Sequence, residues 1–238
     1  MSLGVRGEHP LLTSRRRDVL TAILLALATA VVFLLVGLDA TRPWVQRMDD
    51  RLLREMVRTR TGPFTATAKV FNVLGGFTVM LIARGLVAAY LAFRRRWWHF
   101  SAFVLAIVSS EAFIGTLKGV YDRPRPPVSL ALVHTTGSSF PSGHAVAASA
   151  TVVAIVLALF PAGPHRWGWG VAAALFSFVM AISRAYLAAH WLSDAVAGIL
   201  LGVTVAIGSA LTVQWIRDER DKLRRVRPEA AVRPSGVH

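Results

Sequence analysis

Cysteine is missing from this chain of 238 residues, and charged residues are scarce. Without cysteine the protein has no disulfide framework, no thiolate nucleophile and no thiolate ligand for a metal. Charged residues make up 17% of the sequence and hydrophobic residues 54%, whereas soluble domains are about a quarter charged. This composition is typical of a membrane protein.

Negative charge is the scarcer sign. The chain has 13 acidic residues against 27 lysines and arginines, which gives a formal net charge of +14. In a soluble protein such an excess would favour a nucleic-acid partner. Here many arginines flank long apolar runs, where cations set the topology and contact anionic headgroups. The sequence therefore predicts anionic phospholipid, and no nucleic acid, as the partner of this charge.

Long apolar runs are what the chain has in abundance, and a bilayer core requires roughly 20 such residues per helix. Three runs are almost free of charge, residues 19–38, 145–160 and 196–216. Three others are shorter or interrupted, residues 70–93, 100–117 and 168–182. We predict an all-α polytopic membrane protein with six transmembrane helices, the first retained as an anchor because its apolar run exceeds a signal-peptide core.

The predicted membrane domain covers residues 18–216, between a cytoplasmic N-terminal tail, 1–17, and a basic cytoplasmic C-terminal tail, 217–238. In this orientation the cytoplasmic side carries 15 lysines and arginines and the outer side 11, as the positive-inside rule favours. Four large apolar residues recur at intervals of four between the first two spans: Trp44, Met48, Leu52 and Met56. This spacing predicts an amphipathic helix over 44–58 that lies on the outer membrane surface.

The segment KGVYDRPRP, residues 118–126, brings Lys118 and Arg125 to the predicted outer end of the third span. Pro124, Pro126 and Pro127 cannot continue the helix of the third span, and they stiffen the chain. Lysine and arginine at helix ends also commonly extend to the headgroups without further function. Arg123, between the two cations, is a further candidate, either as a phosphate ligand or as an interfacial cation.

The segment SFPSGHAVAAS, residues 139–149, opens the fourth span. Ser142 is a suitable N-cap, and Gly143 lets a ligand approach the backbone closely. The free N–H groups of the first helical turn form an anion site, and His144 can give or take a proton beside it. Taken alone, the same residues also fit an ordinary helix start with an incidental histidine.

The segment SRAYLAAHWLSD, residues 183–194, joins the fifth and sixth spans. Ionisable residues within so apolar a stretch indicate a functional site. Asp194 follows His190 by four residues, which on a helix would let the carboxylate accept a hydrogen bond from one ring nitrogen and leave the other free to attack. Arg184 would not share that face, so we predict a turn near residues 186–189, although no glycine or proline marks it.

Six spans bring the three segments to one face of the membrane, where cations, a helix N-terminus, two histidines and a carboxylate suit phosphoryl transfer. In residue type and spacing they resemble the type 2 phosphatidic acid phosphatase superfamily. The matching patterns are Lys118-x6-Arg125-Pro126, Pro141-Ser142-Gly143-His144 and Ser183-Arg184-x5-His190-x3-Asp194.

The resemblance implies an extracytoplasmic site that hydrolyses the phosphate of a lipid through a phosphohistidine, with no metal and no other cofactor. The implied substrates are polyprenyl pyrophosphate, phosphatidic acid and phosphatidylglycerol phosphate. By the same resemblance His190 is the nucleophile, Asp194 orients it, and His144 protonates the leaving group. The residues that would bind phosphate are Lys118, Arg125, Ser142, Gly143 and Arg184.

Two other functions stay open. A lipid phosphotransferase would use the same site with an acceptor other than water. A carrier of phospholipids would use the basic pocket without hydrolysis, and it would tolerate replacement of His190.

Two further patterns predict contacts between the spans. Arg84 and Glu111 fall at similar depths in the second and third spans, and we predict an ion pair between them because either charge alone would be costly there. Alternatively, Glu111 lies two turns below Lys118 and serves the site. Gly198 and Gly202 have GxxxG spacing, which predicts close packing against a neighbouring helix.

Overall fold

The computed structural model describes residues 9–12 and 15–231, and this part of the chain is helical with no β-strand. Besides a short 3₁₀ turn at Val128–Leu130 there are eight α-helices in this part of the chain. They are α1 (Arg15–Gly37), α2 (Arg42–Arg58), α3 (Gly62–Leu74), α4 (Phe77–Phe93), α5 (Trp97–Tyr121), α6 (Gly143–Leu159), α7 (Pro164–Tyr186) and α8 (Leu192–Ala231). The predicted all-α class is confirmed.

Four helices are long and apolar enough to cross a membrane: Arg16–Gly37, Trp97–Tyr121, Pro164–Tyr186 and Leu192–Arg224. α3 and α4 together also qualify, although they are bent by 52° where they meet. By length and composition the described chain thus has four candidate spans, or five with the bent pair. The predicted count of six requires α6 as well, an apolar helix of 17 residues.

The predicted second span, 70–93, is interrupted at Gly75 and Gly76, between α3 and α4. A Cβ atom on Gly75 would lie 2.8 Å from Sδ of Met180 and 3.1 Å from Cδ2 of His144. A side chain at this position would therefore force Met180 and His144 to move. The interruption therefore brings the end of α3 against α7 and against a histidine of the second segment.

α8 occupies the middle of the bundle and packs against α6, α5 and α1. A Cβ atom on Gly202 would lie 2.6 Å from the carbonyl oxygen of Val146, and one on Gly198 would lie 2.9 Å from that of Ser142. The two backbones thus meet where the glycines lie. The prediction that Gly198 and Gly202 pack against a neighbouring helix is confirmed, and that helix is α6.

The outer faces of the long helices expose large apolar side chains. Leu24 on α1 is 66% exposed, Leu86 on α4 67%, and Leu175 on α7 60%. Apolar surface on this scale is unusual for a protein in water, whereas lipid chains cover it without cost. The arrangement agrees with a membrane protein.

The predicted ion pair inside the bundle is present. Nη1 of Arg84 lies 2.6 Å from Oε1 of Glu111, and Nε of Arg84 donates to Oγ1 of Thr151 at 2.8 Å. The pair joins α4 to α5, and the second contact joins α4 to α6. It satisfies the arginine within the apolar region and makes Glu111 part of a structural contact.

α2 is amphipathic, but it has two distinct faces. Val45, Asp49 and Leu53 are buried against the rest of the protein. The stripe predicted from the sequence lies on the other side, where Trp44 is 54% and Met48 41% exposed. A spacing of four residues holds on both faces, which is why the sequence pattern did not distinguish them.

Candidate functional site

The structure brings the three segments together at one end of the bundle. α5 ends at Tyr121 because Asp122 adopts a left-handed conformation with φ 35°. The loop 122–142 then passes over the ends of α7 and α8 and leads into α6. Residues from the end of α5, this loop, the start of α6 and the connection between α7 and α8 form the cluster described below.

The turn predicted between Arg184 and His190 is present at residues 187–191. Ala188 adopts a left-handed conformation with φ 54°, and the N–H of Ala189 donates to the carbonyl of Arg184 at 3.0 Å. Alanine takes this conformation only at some cost. The turn therefore lies at a residue that does not mark it in the sequence, as a glycine or a proline would. The turn directs Arg184 and His190 into the same cluster.

His190 is held by contacts to both ring nitrogens. Nδ1 lies 2.7 Å from the carbonyl oxygen of Ser139, and Nε2 lies 3.1 Å from Nη1 of Arg125. A carbonyl only accepts and a guanidinium only donates. Nδ1 must therefore carry the proton, and the lone pair of Nε2 faces the cation.

Asp194 does not accept the hydrogen bond from His190 that the four-residue spacing predicts. The carboxylate oxygen Oδ2 lies 3.8 Å from Nδ1 of His190, too far for that bond. Instead it accepts hydrogen bonds from the hydroxyl of Ser139 and, at 3.0 Å, from the N–H of Trp191. The reason is that α8 begins at Leu192, so His190 lies in the preceding turn and not on the same helical face.

His190 is 3% exposed, and this burial dominates its protonation. Burial lowers the pKa of His190 to about 4, and the positive charges of Arg125 and Arg184 lower it too, against the raising effect of Asp194. The imidazole is therefore neutral near pH 7. A neutral ring with no proton on Nε2 is the form required of a nucleophile, and Nε2 can attack once the hydrogen bond from Arg125 is released.

Three cations, Lys118, Arg125 and Arg184, belong to the same cluster as this imidazole. Nζ of Lys118 donates to the carbonyl of Ser138 at 3.2 Å, and Nη1 of Arg125 donates to that of Ala189 at 2.6 Å. Arg184 donates through Nη1 to the side-chain oxygen of Asn72. Carbonyl and amide groups bear no net charge, so these contacts position the cations without neutralising them.

Three buried donors at the site have no hydrogen-bond partner in the described part of the chain: the hydroxyls of Ser138 and Ser142 and Nε of Arg184. Ser142 is the N-cap residue of α6, but its hydroxyl does not cap the helix. Buried polar atoms normally find a partner. An anion at the start of α6 would supply one to Ser142 and to Arg184.

His144 lies in the first turn of α6, beside the backbone carbonyl of Asn72. It lines a cavity of about 350 Å³ together with Arg184, Asn72 and His134. Gly143, which precedes it, lies next to Ile114 and Lys118 at ordinary contact distances. The cavity thus reaches His144 and Arg184, whereas His190 is buried and does not line it.

Arg123 has neither of the two roles considered for it from the sequence. Its guanidinium is 7% exposed and donates to Oδ1 of Asp194 at 2.5 Å and to Oδ2 of Asp49 at 2.8 Å. Asp49 also accepts from the N–H of Ser193 at 3.0 Å. Arg123 is thus surrounded by carboxylates and faces neither lipid nor the cluster of cations.

Several residues of this region carry contacts that the sequence patterns did not assign, among them Asp49, Asn72, Ser139 and Ser193. One signal was available for Asp49, which occupies the same helical face as Val45 and Leu53 and is therefore an acid on a buried face. Asn72 has no such signal because its role depends on the bend after α3. Glu111 contacts Arg84 and does not join the cluster.

Comparison with known proteins gives a family match. The model of the PAP2 superfamily matches residues 99–218, which is half of the chain and includes all three segments. Phosphatidylglycerophosphatase B of Bacillus subtilis is 26% identical over 163 residues, covering 67% of this chain and 80% of that protein. An undecaprenyl-diphosphatase of Sulfolobus acidocaldarius is 33% identical over 118 residues, covering 48% of this chain and 51% of that protein.

Two solved structures share the fold. The crystal structure of the Bacillus subtilis phosphatidylglycerolphosphate phosphatase of PAP2 type superposes with a TM-score of 0.70 at 24% identity, over 84% of this chain and 96% of that one. The structure of Aquifex aeolicus LpxE gives 0.56 at 22% identity, over 67% of this chain and 92% of that one. From the family match, which covers all three segments, we conclude that the chain belongs to the PAP2 superfamily.

Proposed function

We propose that this protein is a lipid phosphate phosphatase that works through a phosphohistidine on His190 and needs no metal. The observation that carries the proposal is the geometry of His190. Its proton is held on Nδ1 by Ser139, and its Nε2 lone pair faces Arg125 among three cations. The family membership and the names of the two relatives, both lipid phosphatases, support the same activity.

In the first step Nε2 of His190 attacks phosphorus and the bond to the leaving oxygen breaks. Lys118, Arg125 and Arg184 stabilise the charge on the non-bridging oxygens, with Ser142 and the N–H groups at the start of α6, including that of Gly143. His144, whose protonated form the bound phosphate favours, gives its proton to the leaving oxygen. Asp194 stabilises the positive charge that develops on the imidazole of His190.

In the second step water attacks the phosphohistidine. His144, now neutral, takes a proton from the water as its oxygen bonds to phosphorus, and the N–P bond breaks. Phosphate leaves, His190 is neutral again and His144 is again protonated. The cations supply the positive charge that a metal ion provides in other phosphoryl-transfer enzymes, which is why we propose metal independence.

A lipid substrate fits the surroundings of the site. An apolar groove of about 380 Å³ lies beside it between α2, α3 and α7, and Phe64, Ala68 and Val179 are among its lining residues. A phosphate held at the cations could thus keep its hydrocarbon chains in an apolar environment. The substrate class is a phosphomonoester or pyrophosphate of a lipid, namely phosphatidic acid, phosphatidylglycerol phosphate or a polyprenyl pyrophosphate.

The proposed arrangement in the membrane has six spans, with α6 and the bent α3–α4 pair each counted once. The site then lies at headgroup depth on the extracytoplasmic side, and both tails, 1–17 and 217–238, are cytoplasmic. The exposed face of α2, with Trp44 and Met48, would rest on the outer leaflet. The excess of lysine and arginine on the opposite side supports this orientation.

The decisive experiment measures phosphate release by the detergent-purified protein in the presence of EDTA. The substrates are a polyprenyl pyrophosphate, phosphatidylglycerol phosphate and phosphatidic acid, and the relative rates rank them. His190→Ala is run in parallel, with thermal unfolding to show that it is folded. We expect release that survives EDTA and is lost in His190→Ala.

Phosphate release by His190→Ala at the wild-type rate would refute the phosphohistidine. Loss of wild-type release in EDTA, restored by added metal, would refute metal independence. If folded protein releases no phosphate but transfers it to an added alcohol, the phosphotransferase is the correct function. If it does neither, the hydrolytic proposal fails and the carrier is tested next.

A further inference from the structure

A cluster of arginines surrounds a pocket at the end of the bundle opposite the candidate site. The pocket has a volume of about 580 Å³, and its lining includes Arg95, Arg217, Arg220 and Arg224. Arg95 lies in the turn between α4 and α5, whereas the other three follow one face of α8 at intervals of three and four residues. Trp97, which lines the pocket, and Lys118 both lie on α5, so at 1.5 Å per residue the pocket lies roughly 30 Å from Lys118.

Two tryptophans form the opposite wall of this arginine pocket. Trp97 and Trp98 begin α5, and the guanidinium of Arg220 lies 5.8 Å from the ring centroid of Trp98. Tryptophan concentrates at the level of the lipid headgroups. The part of α8 from Leu192 to Arg224 contains an apolar span and has 33 residues, or about 50 Å at 1.5 Å per residue, which exceeds a hydrocarbon core of about 30 Å. The end that bears the arginines therefore emerges at headgroup depth.

The charge of the arginine pocket is unbalanced. One acid, Asp221, also lines it, against four arginines. In the part of the chain that the structure describes, no carboxylate pairs with Arg95, Arg220 or Arg224. Arg123 at the other end of the bundle has two carboxylates. Arg95, Arg220 and Arg224, beside a concave surface, suit a phosphate group, to which guanidinium can donate two parallel hydrogen bonds.

We propose that the arginine pocket binds the headgroup of an anionic phospholipid from the leaflet opposite the catalytic one. The phosphodiester oxygens accept hydrogen bonds from the arginines, and the acyl chains extend into the surrounding bilayer. The tryptophan wall and the headgroup depth favour a lipid over a soluble phosphodiester. This site does not depend on the proposed hydrolysis, because it lies at the other end of the molecule.

The test measures lipid retention by the purified full chain in a neutral detergent, using native mass spectrometry. The probes are phosphatidylglycerol, phosphatidylcholine with the same acyl chains, and the soluble headgroup glycerophosphoglycerol. The variant is Arg220→Gln and the matched control is Lys222→Gln. Both remove one positive charge from the same helix, but Lys222 pairs with Glu219 at 2.8 Å and does not line the pocket.

We expect one phosphatidylglycerol per protein, retained in preference to phosphatidylcholine and to the soluble headgroup. Arg220→Gln should weaken this retention about fivefold, and Lys222→Gln should leave it unchanged. His190→Ala should also retain the lipid, which separates this site from the catalytic one whether or not hydrolysis is observed. Equal losses in the two charge variants, no preference over phosphatidylcholine, or equal binding of the soluble headgroup would each overturn the proposal.

Discussion

At the scale of single residues, the site depends on a connected series of buried polar and charged side chains that leads to His190. Asp49 and Asp194 both bind Arg123, and Ser139 connects Asp194 to the imidazole of His190. A buried charge is costly unless it is paired, so each member fixes the position of the next. Through this series α2, which contributes none of the proposed reacting groups, positions the proposed nucleophile.

Asp49→Asn should lower kcat more than it changes KM. The substitution removes a negative partner of Arg123 and lets Asp194 shift, while the cations that bind phosphate stay in place. A displacement of about 1 Å can reduce the rate on the order of 100-fold, and we expect a loss of roughly 10- to 100-fold in kcat with KM within about twofold. Steady-state kinetics of phosphate release provides the measurement.

The control for Asp49→Asn is Glu55→Gln, which changes an exposed acid on the same helix. Thermal unfolding of both variants shows whether they are folded. If folded Asp49→Asn had the same kcat as Glu55→Gln, Asp49 would have no positioning function.

The neutral state of His190 has a consequence for stability against pH. The pKa of this histidine is about 4 in the folded protein, against an ordinary value of 6.5. Between these values the unfolded chain binds a proton that the folded site excludes, so stability falls as the pH drops from about 6.5 towards 4. His190→Gln removes this contribution. In thermal unfolding, the Tm of the variant should therefore rise relative to that of the wild type as the pH is lowered from 7 to 5.

Other groups titrate in the same range, but they are common to both proteins and cancel in the difference. A difference in Tm between wild type and His190→Gln that is the same at pH 7 and pH 5 would mean that the folded site accepts the proton.

At the scale of elements, two irregular connections make the site. The left-handed Ala188 ends α7 early enough for Arg184 and His190 to face one cluster. The bend between α3 and α4 brings Asn72 to Arg184 and Gly75 to His144. The turn at Ala188 was expected from the spacing of Arg184 and His190, whereas the bend at Gly75 and Gly76 lies inside a run for which the sequence predicts one span.

The contact between α6 and α8 should depend on Gly202. A methyl group there would lie 2.6 Å from the carbonyl oxygen of Val146, so Gly202→Ala must separate the helices. Overpacking of this kind costs about 1–3 kcal/mol, and α6 carries Ser142 and His144, so activity should fall as well. Thermal unfolding and phosphate release together measure both effects.

Gly208 provides the control, since it lies on the same helix with nothing within 4 Å of its added Cβ atom. Gly208→Ala should leave Tm unchanged or raise it, because alanine favours a helix over glycine by up to about 1 kcal/mol. Equal stability of the two variants would show that the contact between α6 and α8 does not require Gly202.

At the scale of the whole molecule, the length of the helices separates the two proposed sites. The candidate site occupies one end, and the arginine pocket the other. A lipid bound at the far end can therefore stabilise the bundle without competing with a substrate. Because the two ends lie on opposite sides of the membrane in the proposed arrangement, labelling one residue at each end tests the orientation.

The absence of cysteine allows this orientation to be measured with single cysteine substitutions. Val128 is 81% exposed in the loop at the site end, and His165 is exposed at the other end. A maleimide that cannot cross membranes should label Val128→Cys in intact cells and His165→Cys only after permeabilisation. The reverse pattern would place the site on the cytoplasmic side.

The sequence by itself determined the all-α class, the membrane character and the three segments whose residues form the candidate site. These follow from composition, from the apolar runs and from residue types at fixed spacing, all of which are local along the chain. The Arg84–Glu111 pair and the packing of Gly198 and Gly202 were also predictable, because a charge or a paired glycine within a span has few structural solutions.

Only the tertiary structure decided how the residues of the site are connected. Asp194 reaches His190 through Ser139, Arg123 binds two carboxylates, and Asn72 holds Arg184, and each contact joins parts of the chain far apart in sequence. Local patterns do not contain such contacts, because they arise where helices bend or end early. The physical reason is burial: once these charges leave water, the nearest partner in space determines their role.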